Sequence, residues 1–375
     1  MKRKVILLIA SYPDSIIKFR GALIDSMIQL GMLVHVAVPD LSEEDEVYQE
    51  LITRGVNVHP LNMDRTGTNP ISDLKLLYEL FSLIKKTRPD LVLSYTIKPV
   101  VYGLISSWLA RVPKRYALVT GLGHVFIERG SRVSFKKSII KKLYKFALSK
   151  ASKVFFQNPD DELLFRDSGI LPENITSYII NGSGVDVSEY SVTPIPNSPA
   201  FLLTARLLYT KGVREYAQAA KLVKEIYPDV RFDLVGWIDN NPDSINKKEL
   251  DEWQKGNLLN YLGKLEDVRP AISNCSVFVL PSYREGTPRT VLEAMSMGRP
   301  IITTNAPGCK ETVIDQVNGY LVPVGSVIEL KNAMIRYIEN PELVKSMGSS
   351  SREYVESKFN VISVNQNLLR EMEVI

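Results

Sequence analysis

The sequence predicts an α/β protein with two Rossmann-like domains, each built on a doubly wound parallel sheet. Three observations support this fold class: the chain has 375 residues, short apolar runs alternate with longer amphipathic stretches, and the alternation stops once and then resumes. Apolar strands that alternate with helices form a parallel sheet covered on both faces. With 45% hydrophobic residues, a chain of this length can form two cores. We expect the two sheets to face a cleft, because ligands of open α/β sheets bind at the carboxyl ends of the strands.

The first half of the chain contains six predicted strands and three predicted helices. The strands are Val5–Ala10, Leu33–Val38, Leu91–Ser94, Tyr116–Thr120, Lys153–Gln157 and Ser177–Ile180, and the helices are Ile16–Leu30, Ser72–Lys86 and Phe135–Ser149. The strands are nearly uniformly apolar, as expected for strands buried on both faces. The first run follows a basic start, but it is shorter than the apolar region of a secretory signal, so a buried strand explains it better.

A proline-rich segment divides the chain. Residues 191–199 read SVTPIPNSP, and three prolines in nine residues interrupt helices and strands alike. We therefore predict an N-terminal domain (residues 1–190), a linker (191–199) and a C-terminal domain (200–375). The second domain has predicted strands Phe201–Thr204, Phe232–Val235, Val277–Leu280, Pro300–Thr303 and Gly319–Val322. It ends in predicted helices Glu329–Ile338, Leu343–Phe359 and Val361–Met372, which could pack back on the N-terminal domain.

Composition argues against several classes of protein. The formal net charge is only +4 over the whole chain, and no nucleic-acid reader motif is present, so we predict no nucleic-acid partner. Two cysteines and three histidines make a disulfide framework or a zinc site improbable and fit a reducing cytoplasm. No apolar stretch approaches the length of a membrane span.

The richest cluster of polar residues follows the predicted strand Val277–Leu280. Glu285 lies in the loop that leaves the strand, Gly286 permits a tight turn, and Pro288 suits the first turn of a helix that contains Glu293. The exposed N–H groups of such a helix favour an anion such as a phosphate. The two carboxylates would accept hydrogen bonds from sugar hydroxyls. In the alternative interpretation, Glu285 caps the helix and Glu293 is solvated.

This segment resembles the E-x7-E motif of the GT-B retaining glycosyltransferases of family 4. Four further segments extend the resemblance over most of the chain: FLLTARLLYTKG (Phe201–Gly212), NAPGCKE (Asn305–Glu311), NGYLV (Asn318–Val322) and NGSGVD (Asn181–Asp186), the last with two residues inserted relative to the family.

The resemblance implies a role for each residue of the C-terminal cluster. Arg206 and Lys211 would contact the diphosphate of a nucleotide-sugar donor, Glu293 would bind the ribose hydroxyls, and Glu285 would hold the transferred sugar. The donor site would be completed by Gly286, Thr287, Pro288 and Arg289 beside the sugar and its phosphate, and by Gly263 and Leu265 beside the base. The alternative for Arg206 and Lys211 is a pair of exposed cations without a ligand.

Charge development in the reaction agrees with these roles. Breaking a sugar–phosphate bond builds negative charge on the departing nucleoside diphosphate, and two fixed cations beside a helix N-terminus stabilise that charge without a metal. The sequence contains no D-x-D motif. We therefore predict an enzyme that needs neither a metal nor a cofactor. The resemblance implies that the anomeric configuration is retained.

The N-terminal half carries weaker signals for the acceptor. TGLGHVFIERG (Thr120–Gly130) follows a predicted strand. Gly121 and Gly123 there permit close backbone approach, and His124 is either a catalytic residue beside the sugar or an ordinary loop histidine. The first loop, with Arg20, and the segment IKPVVYG, with Lys98, resemble a narrower group that transfers N-acetylgalactosamine to an undecaprenyl-diphosphate-linked sugar. That resemblance implies UDP-GalNAc as donor, an alpha-1,3 linkage, and Arg20 and Lys98 facing the polyprenyl-diphosphate-linked saccharide.

A basic amphipathic stretch runs from Arg132 to Lys153. It contains eight lysines and arginines and no acidic residue, with an apolar stripe at helical spacing. Such a helix can lie on an anionic membrane surface, so we predict peripheral association with the inner face of the cell membrane. The contact residues would be Lys136, Lys137, Lys141, Lys142 and Lys145. In the alternative, the stripe packs on the domain's own sheet.

Three hypotheses for function remain after these considerations. The first is the glycosyltransferase described above, with UDP-GlcNAc or UDP-Gal as alternative donors. The second keeps the fold but changes the chemistry, as in an epimerase or a phosphorylase. The third is a non-enzymatic sugar-nucleotide-binding protein. The sequence does not fix the donor sugar, the acceptor, the linkage or the oligomeric state, because a few contacts in a folded pocket decide them.

Overall fold

The protein consists of two compact units. The computed structural model describes residues 3–64, 69–121, 135–239, 241 and 243–375, and for residues 135–137 it describes the backbone only. The first unit contains Met1–Ser183 and Asn365–Ile375, and the second contains Gly184–Val364. Each unit has one parallel sheet flanked by helices, which confirms the predicted fold class.

Seven parallel strands form the sheet of the first unit: β1 (Val5–Ile9), β2 (Leu33–Pro39), β3 (Asn57–Leu61), β4 (Leu91–Tyr95), β5 (Lys114–Val119), β6 (Lys153–Phe156) and β7 (Ser177–Ile179). Their order across the sheet is β3-β2-β1-β4-β5-β6-β7. The helices are α1 (Asp14–Gln29), α2 (Glu46–Thr53), α3 (Pro70–Thr87), α4 (Ile97–Leu109), α5 (Phe135–Leu148) and α6 (Pro159–Asp167).

Six parallel strands form the sheet of the second unit: β8 (Ala200–Thr204), β9 (Arg231–Val235), β10 (Asn260–Gly263), β11 (Val277–Leu280), β12 (Ile301–Thr304) and β13 (Gly319–Val322). Their order is β10-β9-β8-β11-β12-β13. The helices are α7 (Val213–Lys224), α8 (Lys247–Lys255), α9 (Arg269–Ser273), α10 (Arg289–Ser296), α11 (Val327–Glu339), α12 (Pro341–Lys358) and α13 (Val361–Glu371). Among the described helices, none combines the length and the apolar character needed to cross a bilayer.

The C-terminal end of the chain belongs to the core of the first unit. Leu368, Leu369 and Met372 are buried with residues of β1, β2 and α1. The Tyr116 hydroxyl donates to the Met372 carbonyl at 2.6 Å, and Lys153 Nζ donates to the Glu371 carbonyl at 2.6 Å. These contacts fix the last helix against one face of the sheet, while α3, α4 and α5 cover the other face.

The chain passes between the units at two adjacent places. The Val185 amide donates to the Phe359 carbonyl at 2.9 Å, and the Val361 amide donates to the Val185 carbonyl at 3.0 Å. Gly184 has a φ of +68°, and a Cβ added there would lie 2.6 Å from Val361 Cα, so only glycine fits. The crossing at Ser183–Gly184 precedes the boundary at residue 190 that the prolines indicated.

The proline-rich segment is held by the second unit. The Arg299 side chain is fully buried, and its guanidinium donates to the Thr193 carbonyl at 2.9 Å and to the Pro194 carbonyl at 3.0 Å. Buried arginines require such hydrogen bonds because an unsatisfied buried charge is costly. The prolines therefore end the regular structure without marking the point where the chain changes units.

Two histidines interact in the first sheet. His35 Nδ1 lies 2.8 Å from His59 Nε2, so one ring donates and the other accepts, and this bond requires at least one neutral ring. Burial lowers the pKa of His59 to about 4, with further lowering from His35 and Lys86. Burial also lowers the pKa of His35.

We expect this pair to make the protein less stable in mild acid. An unfolded histidine takes up a proton below its ordinary pKa of 6.5, whereas folded His59 stays neutral until about pH 4, so stability falls as the pH drops across this interval. His59→Gln should reduce the fall in the urea-unfolding midpoint between about pH 7 and about pH 5. Equal falls in the variant and the natural protein would contradict this role.

Candidate active site

The second sheet changes winding direction between two central strands. Strand β8 lies beside both β9 and β11, so the loops that leave the carboxyl ends of β8 and β11 diverge to opposite sides. Ligands of doubly wound sheets bind at such a position. Arg206 and Lys211 follow β8, and Glu285 follows β11, so the fold brings the predicted C-terminal residues to one place.

Hydrogen bonds join the two loops. The Tyr283 amide donates to the Thr210 carbonyl at 2.9 Å, and Ser282 Oγ lies 3.0 Å from the same carbonyl oxygen. The backbones approach so closely that a Cβ added to Gly212 would lie 2.2 Å from the Pro281 carbonyl oxygen. Gly212 also has a φ of +70°, which favours glycine. These contacts therefore hold the β8 and β11 loops together.

An ion pair also joins the two loops. Lys211 Nζ lies 2.5 Å from Glu285 Oε1, and Ser282 Oγ donates to the same oxygen at 2.7 Å. The N-cap position of α10 belongs to Pro288, not to Glu285 as in the alternative interpretation. An ammonium has three donors, so Lys211 can keep Glu285 and still donate to a phosphate oxygen.

Arg206 is also paired. Its Nη1 lies 3.0 Å from Asp239 Oδ2, and both side chains are about one-third exposed. Asp239 lies in the loop after β9. A guanidinium has five N–H donors, so this carboxylate can orient Arg206 while leaving donors for a ligand. Sequence reasoning missed Asp239, because a single aspartate after an apolar strand carries no distinctive signal.

Glu293 is buried, so the alternative of a solvated carboxylate is wrong. Its Oε1 accepts from Arg289 Nε at 2.9 Å and from the Tyr190 hydroxyl at 3.1 Å. Burial raises the pKa of Glu293, and Arg289 and Tyr190 oppose that rise. Tyr190 was not predicted, because it lies at the far end of the segment that the sequence assigned to the N-terminal domain.

Helix α10 begins one residue later than predicted. Pro288 has an extended ψ of 104° and occupies the N-cap position, so Arg289 is the first helical residue. The proline ring fixes φ but not ψ, which explains the shift. The Pro288 side chain makes no cap hydrogen bond, and the positive end of the dipole of α10 lies at this N-terminus. Gly286 and Thr287 lie just before this N-terminus.

A third loop supports the first two. Gly308, in the loop after β12, has a φ of +80°, and an added Cβ would lie 2.2 Å from the Glu285 carbonyl oxygen and 2.5 Å from that of Gly286. The Glu285 amide donates to the Pro307 carbonyl at 2.9 Å. Close packing against the β12 loop thus fixes the position of the Glu285–Gly286 backbone.

The two residues predicted to border a base lie at the end of the edge strand β10. The Gly263 carbonyl accepts from the Gly236 amide at 2.9 Å. Gly263 has a φ of +73° with open space where a Cβ would point. Leu265 is partly buried against the core around α10.

The predicted acceptor residues belong to the first unit. Arg20 is only 2% exposed, and its guanidinium lies 5.2 Å from the centroid of the Tyr95 ring. Lys98 is paired with Asp73 at 2.9 Å. Gly121 has a φ of +126°, a conformation that favours glycine. Gly123 and His124 lie outside the described residues.

Helix α5 divides the predicted apolar stripe between the core and the solvent. Ala147 and Leu148, with Tyr144, are buried in the core of the first unit, whereas Ile139 and Phe146 are exposed. The stripe divides because one edge of the helix packs on α4 while the other faces solvent. Lys141, Lys142 and Lys145 are exposed, and the side chains of Lys136 and Lys137 lie outside the described residues.

Two family models match the chain, one in each half. Residues 191–354 match "Glycosyl transferases group 1", and residues 4–158 match "Glycosyl transferase 4-like". The chain is a glycosyltransferase. It has the GT-B architecture, with a group 1 domain that contains the paired cations and carboxylates described above. This assignment excludes the hypothesis of a non-enzymatic binding protein.

Two curated relatives of this glycosyltransferase have names that specify lipid-linked sugars as acceptors. It is 28% identical to N,N'-diacetylbacillosaminyl-diphospho-undecaprenol alpha-1,3-N-acetylgalactosaminyltransferase of Campylobacter jejuni, over 90% of each chain. It is 29% identical to UDP-Gal:alpha-D-GlcNAc-diphosphoundecaprenol alpha-1,3-galactosyltransferase of Escherichia coli, over 78% of this chain and 77% of the relative. Among solved structures, Anabaena Alr3699/HepE in complex with UDP superimposes with a TM-score of 0.77 at 20% identity, over 99% of this chain and 100% of that one.

We predict that Gly308→Ala disturbs the site of this glycosyltransferase. The new methyl group must displace the Glu285–Gly286 backbone, which should lower the rate of sugar transfer about tenfold or more. Gly55→Ala is the matched control, because Gly55 has a φ of +82° but open space at its Cβ. The control should lose about 1–2 kcal/mol of stability through backbone strain and keep its transfer rate. Equal transfer rates in both variants would contradict the role of Gly308.

Proposed function

We propose that the enzyme is a retaining glycosyltransferase that transfers N-acetylgalactosamine from UDP-GalNAc, in alpha-1,3 linkage, to an undecaprenyl-diphosphate-linked saccharide in bacterial surface-glycan assembly. The observation that carries the proposal is the convergence of Lys211, Glu285 and the N-terminus of α10 at the winding change of the second sheet. The names of both curated relatives support an alpha-1,3 linkage and an undecaprenol acceptor. UDP-GlcNAc and UDP-Gal are the alternative donors.

The donor diphosphate would lie between the cations and α10. Arg206 and Lys211 would each donate to its oxygens, and the dipole of α10 would add a partial positive charge. All three are held by contacts that exist before the ligand arrives, so little reorganisation accompanies charge development. Thr287, Pro288 and Arg289 would border the phosphate nearest the sugar.

Glu285 and Glu293 would perform different tasks on the donor. Glu285 already accepts hydrogen bonds from Ser282 and Lys211 on Oε1, and it would accept one from a sugar hydroxyl. Glu293 would accept from the ribose hydroxyls, with Arg289 and Tyr190 orienting its carboxylate. Gly263 and Leu265 would border the base.

In the transfer step, the bond from the anomeric carbon to the diphosphate oxygen breaks. The acceptor hydroxyl forms its bond on the same face of the sugar, and its proton passes to the departing diphosphate. Retention then requires no covalent intermediate with the enzyme. Arg20, Lys98, Gly121 and Gly123 would serve the acceptor, and His124 would lie beside the sugar.

The lipid-linked acceptor places the proposed reaction at a membrane. The exposed lysines of α5 would bring the enzyme to the anionic inner face of the cell membrane, from the cytoplasmic side. Lys136 and Lys137 would belong to the same set.

A donor panel tests the proposal. The enzyme is incubated with UDP-GalNAc, UDP-GlcNAc, UDP-Gal or GDP-mannose and one synthetic short-prenyl-diphosphate saccharide. We expect UDP release from UDP-GalNAc that depends on the acceptor, and a product with the alpha configuration by NMR. Release from another donor would reassign the sugar, and no release from any donor would contradict the proposal.

Arg206→Ala should lower kcat about 10²–10³-fold, because it removes a cation that stabilises the leaving diphosphate. Arg231→Ala is the matched control: Arg231 makes the same kind of carboxylate pair at 3.0 Å, with Asp233, but lies at the amino end of β9. Its turnover should stay within about threefold of the natural enzyme. Similar kcat values in the two variants would contradict a catalytic role for Arg206.

We propose that transfer needs no divalent metal, because two side-chain cations and a helix dipole can stabilise the departing charge. Activity should therefore be unchanged after EDTA treatment and should not rise when Mg²⁺ or Mn²⁺ is added. Loss of activity with EDTA and its recovery with Mg²⁺ would contradict this part of the proposal.

A further inference from the structure

The surface of the first unit exposes two aromatic rings that contact each other. Trp108, at the end of α4, is 41% exposed, and Phe146, at the end of α5, is 43% exposed. Their ring centroids lie 6.0 Å apart in an edge-to-face arrangement. Lys150 Nζ lies 4.8 Å from each centroid, so one ammonium covers both rings. We call Trp108, Phe146 and Lys150 the aromatic cluster.

Partly buried hydrogen bonds hold together the chain segments that carry the aromatic cluster. Arg115, in β5, donates from Nε to the Lys150 carbonyl at 2.6 Å and from Nη1 to the Val112 carbonyl. Val112 follows α4, and Lys150 follows α5, so Arg115 fastens the ends of both helices side by side. Holding two large rings in a solvent-exposed arrangement gains little from the hydrophobic effect unless something covers them.

The surface of α5 continues from the aromatic cluster. Ile139, Lys142 and Phe146 are spaced three and four residues apart, so they lie on one helical face, and all three are exposed. This face alternates apolar groups with cations. Among the described residues, Lys141, Lys142 and Lys145 form no ion pair with a carboxylate.

A basic groove lies beside the C-terminal end of α4, and Val112, which accepts from Arg115, is one of its lining residues. Its volume is about 590 Å³, and its lining includes Lys85, Arg88, Asp90, Arg111, Val112 and Pro113. Leu109, which is 47% exposed, lies between Trp108 and this groove in the sequence. Asp90, the carboxylate in this lining, accepts from the Val5 amide at 2.8 Å. In the described part of the chain, Arg88 and Arg111 make no ion pair.

Arg88 and Arg111 follow the C-termini of α3 and α4, where a helix dipole stabilises cations. That effect accounts for their charge but not for the exposed Trp108 and Leu109 beside them. Tryptophan at a surface flanked by lysine and arginine is the arrangement found where proteins meet the bilayer interface, since the indole ring enters the headgroup region while the cations meet lipid phosphates.

We propose that the aromatic cluster, Leu109 and the basic groove together form a docking surface for an anionic phospholipid bilayer. Trp108 and Phe146 insert at the headgroup level, and Arg88 and Arg111 bind lipid phosphates. The purpose of this docking, bringing the enzyme to a lipid-linked acceptor, rests on the proposed function. The docking itself does not.

The test uses Trp108 as its own reporter. The chain has three tryptophans, so Trp237→Phe with Trp253→Phe leaves Trp108 as the only one. We expect its emission to shift to shorter wavelength, and to be quenched by brominated acyl chains, with vesicles of phosphatidylglycerol and phosphatidylcholine. Vesicles of phosphatidylcholine alone should give less than about a tenth of the binding. Bound protein whose Trp108 is not quenched would overturn the proposal.

Variants separate the two parts of the surface. Arg88→Gln with Arg111→Gln should weaken partition to the anionic vesicles about tenfold or more, as should Trp108→Ala with Phe146→Ala. The controls are Lys255→Gln with Lys345→Gln for charge and Ile52→Ala for exposed apolar area, and they should bind as the natural protein does. Thermal melts check that each variant is folded. Unchanged partition of folded surface variants would overturn the proposal.

Two further arms distinguish the alternatives. A protein concentration series without vesicles tests whether a second copy of the chain covers the docking surface instead of a bilayer. A shift of the Trp108 emission to shorter wavelength without lipid, together with a doubled mass in light scattering, would overturn membrane docking. The vesicles carry no acceptor or nucleotide, so binding is measured independently of transfer. Transfer to the water-soluble short-prenyl acceptor should be unchanged in the surface variants, and its absence in every protein would count against the proposed function alone.

Discussion

The ion pair between Lys211 and Glu285 depends on the winding of the second sheet. Strands β8 and β11 are neighbours although 72 residues lie between Thr204 and Val277 along the chain, so the beginnings of their carboxyl-end loops lie side by side. Ser282, Thr210 and Gly212 then hold the two loops together. The partly buried pair, at 18% and 13% side-chain exposure, would be costly without these supports, since desolvated charges need complete hydrogen bonding.

The cations of the site are held by carboxylates. Lys211 pairs with Glu285, and Arg206 pairs with Asp239. Each carboxylate orients its cation and leaves further N–H donors available, so the site can receive a dianionic ligand without first ordering its side chains. Sequence reasoning considered only two states for these residues, contact with a ligand or exposure to solvent. Pairing is a third state, and it requires knowledge of which loops meet.

The sequence predicted the strands with continuous apolar runs well and the polar strands poorly. Strands β11 and β13 have the predicted bounds because they consist almost entirely of apolar residues, although β13 lies at the edge of its sheet. Strands β3 and β10 were missed. Each lies at one edge of its sheet, and their residues, NVHPL and NYLG, include polar groups and a proline that edge positions tolerate and that interrupt the apolar pattern. Motifs located Glu285, Glu293, Arg206 and Lys211, whereas Tyr190 and the Trp108–Phe146 contact depend on tertiary structure that no local pattern encodes.

The two chain crossings give the second unit the topology of an inserted module. Its first and last segments lie side by side, joined through Val185, Phe359 and Val361, while both ends of the polypeptide belong to the first unit. Insertion between neighbouring points disturbs a host fold least. Residues 184–364 could therefore be exchanged as one cassette between relatives, which offers a route to chimeras that combine the donor preference of one transferase with the acceptor preference of another.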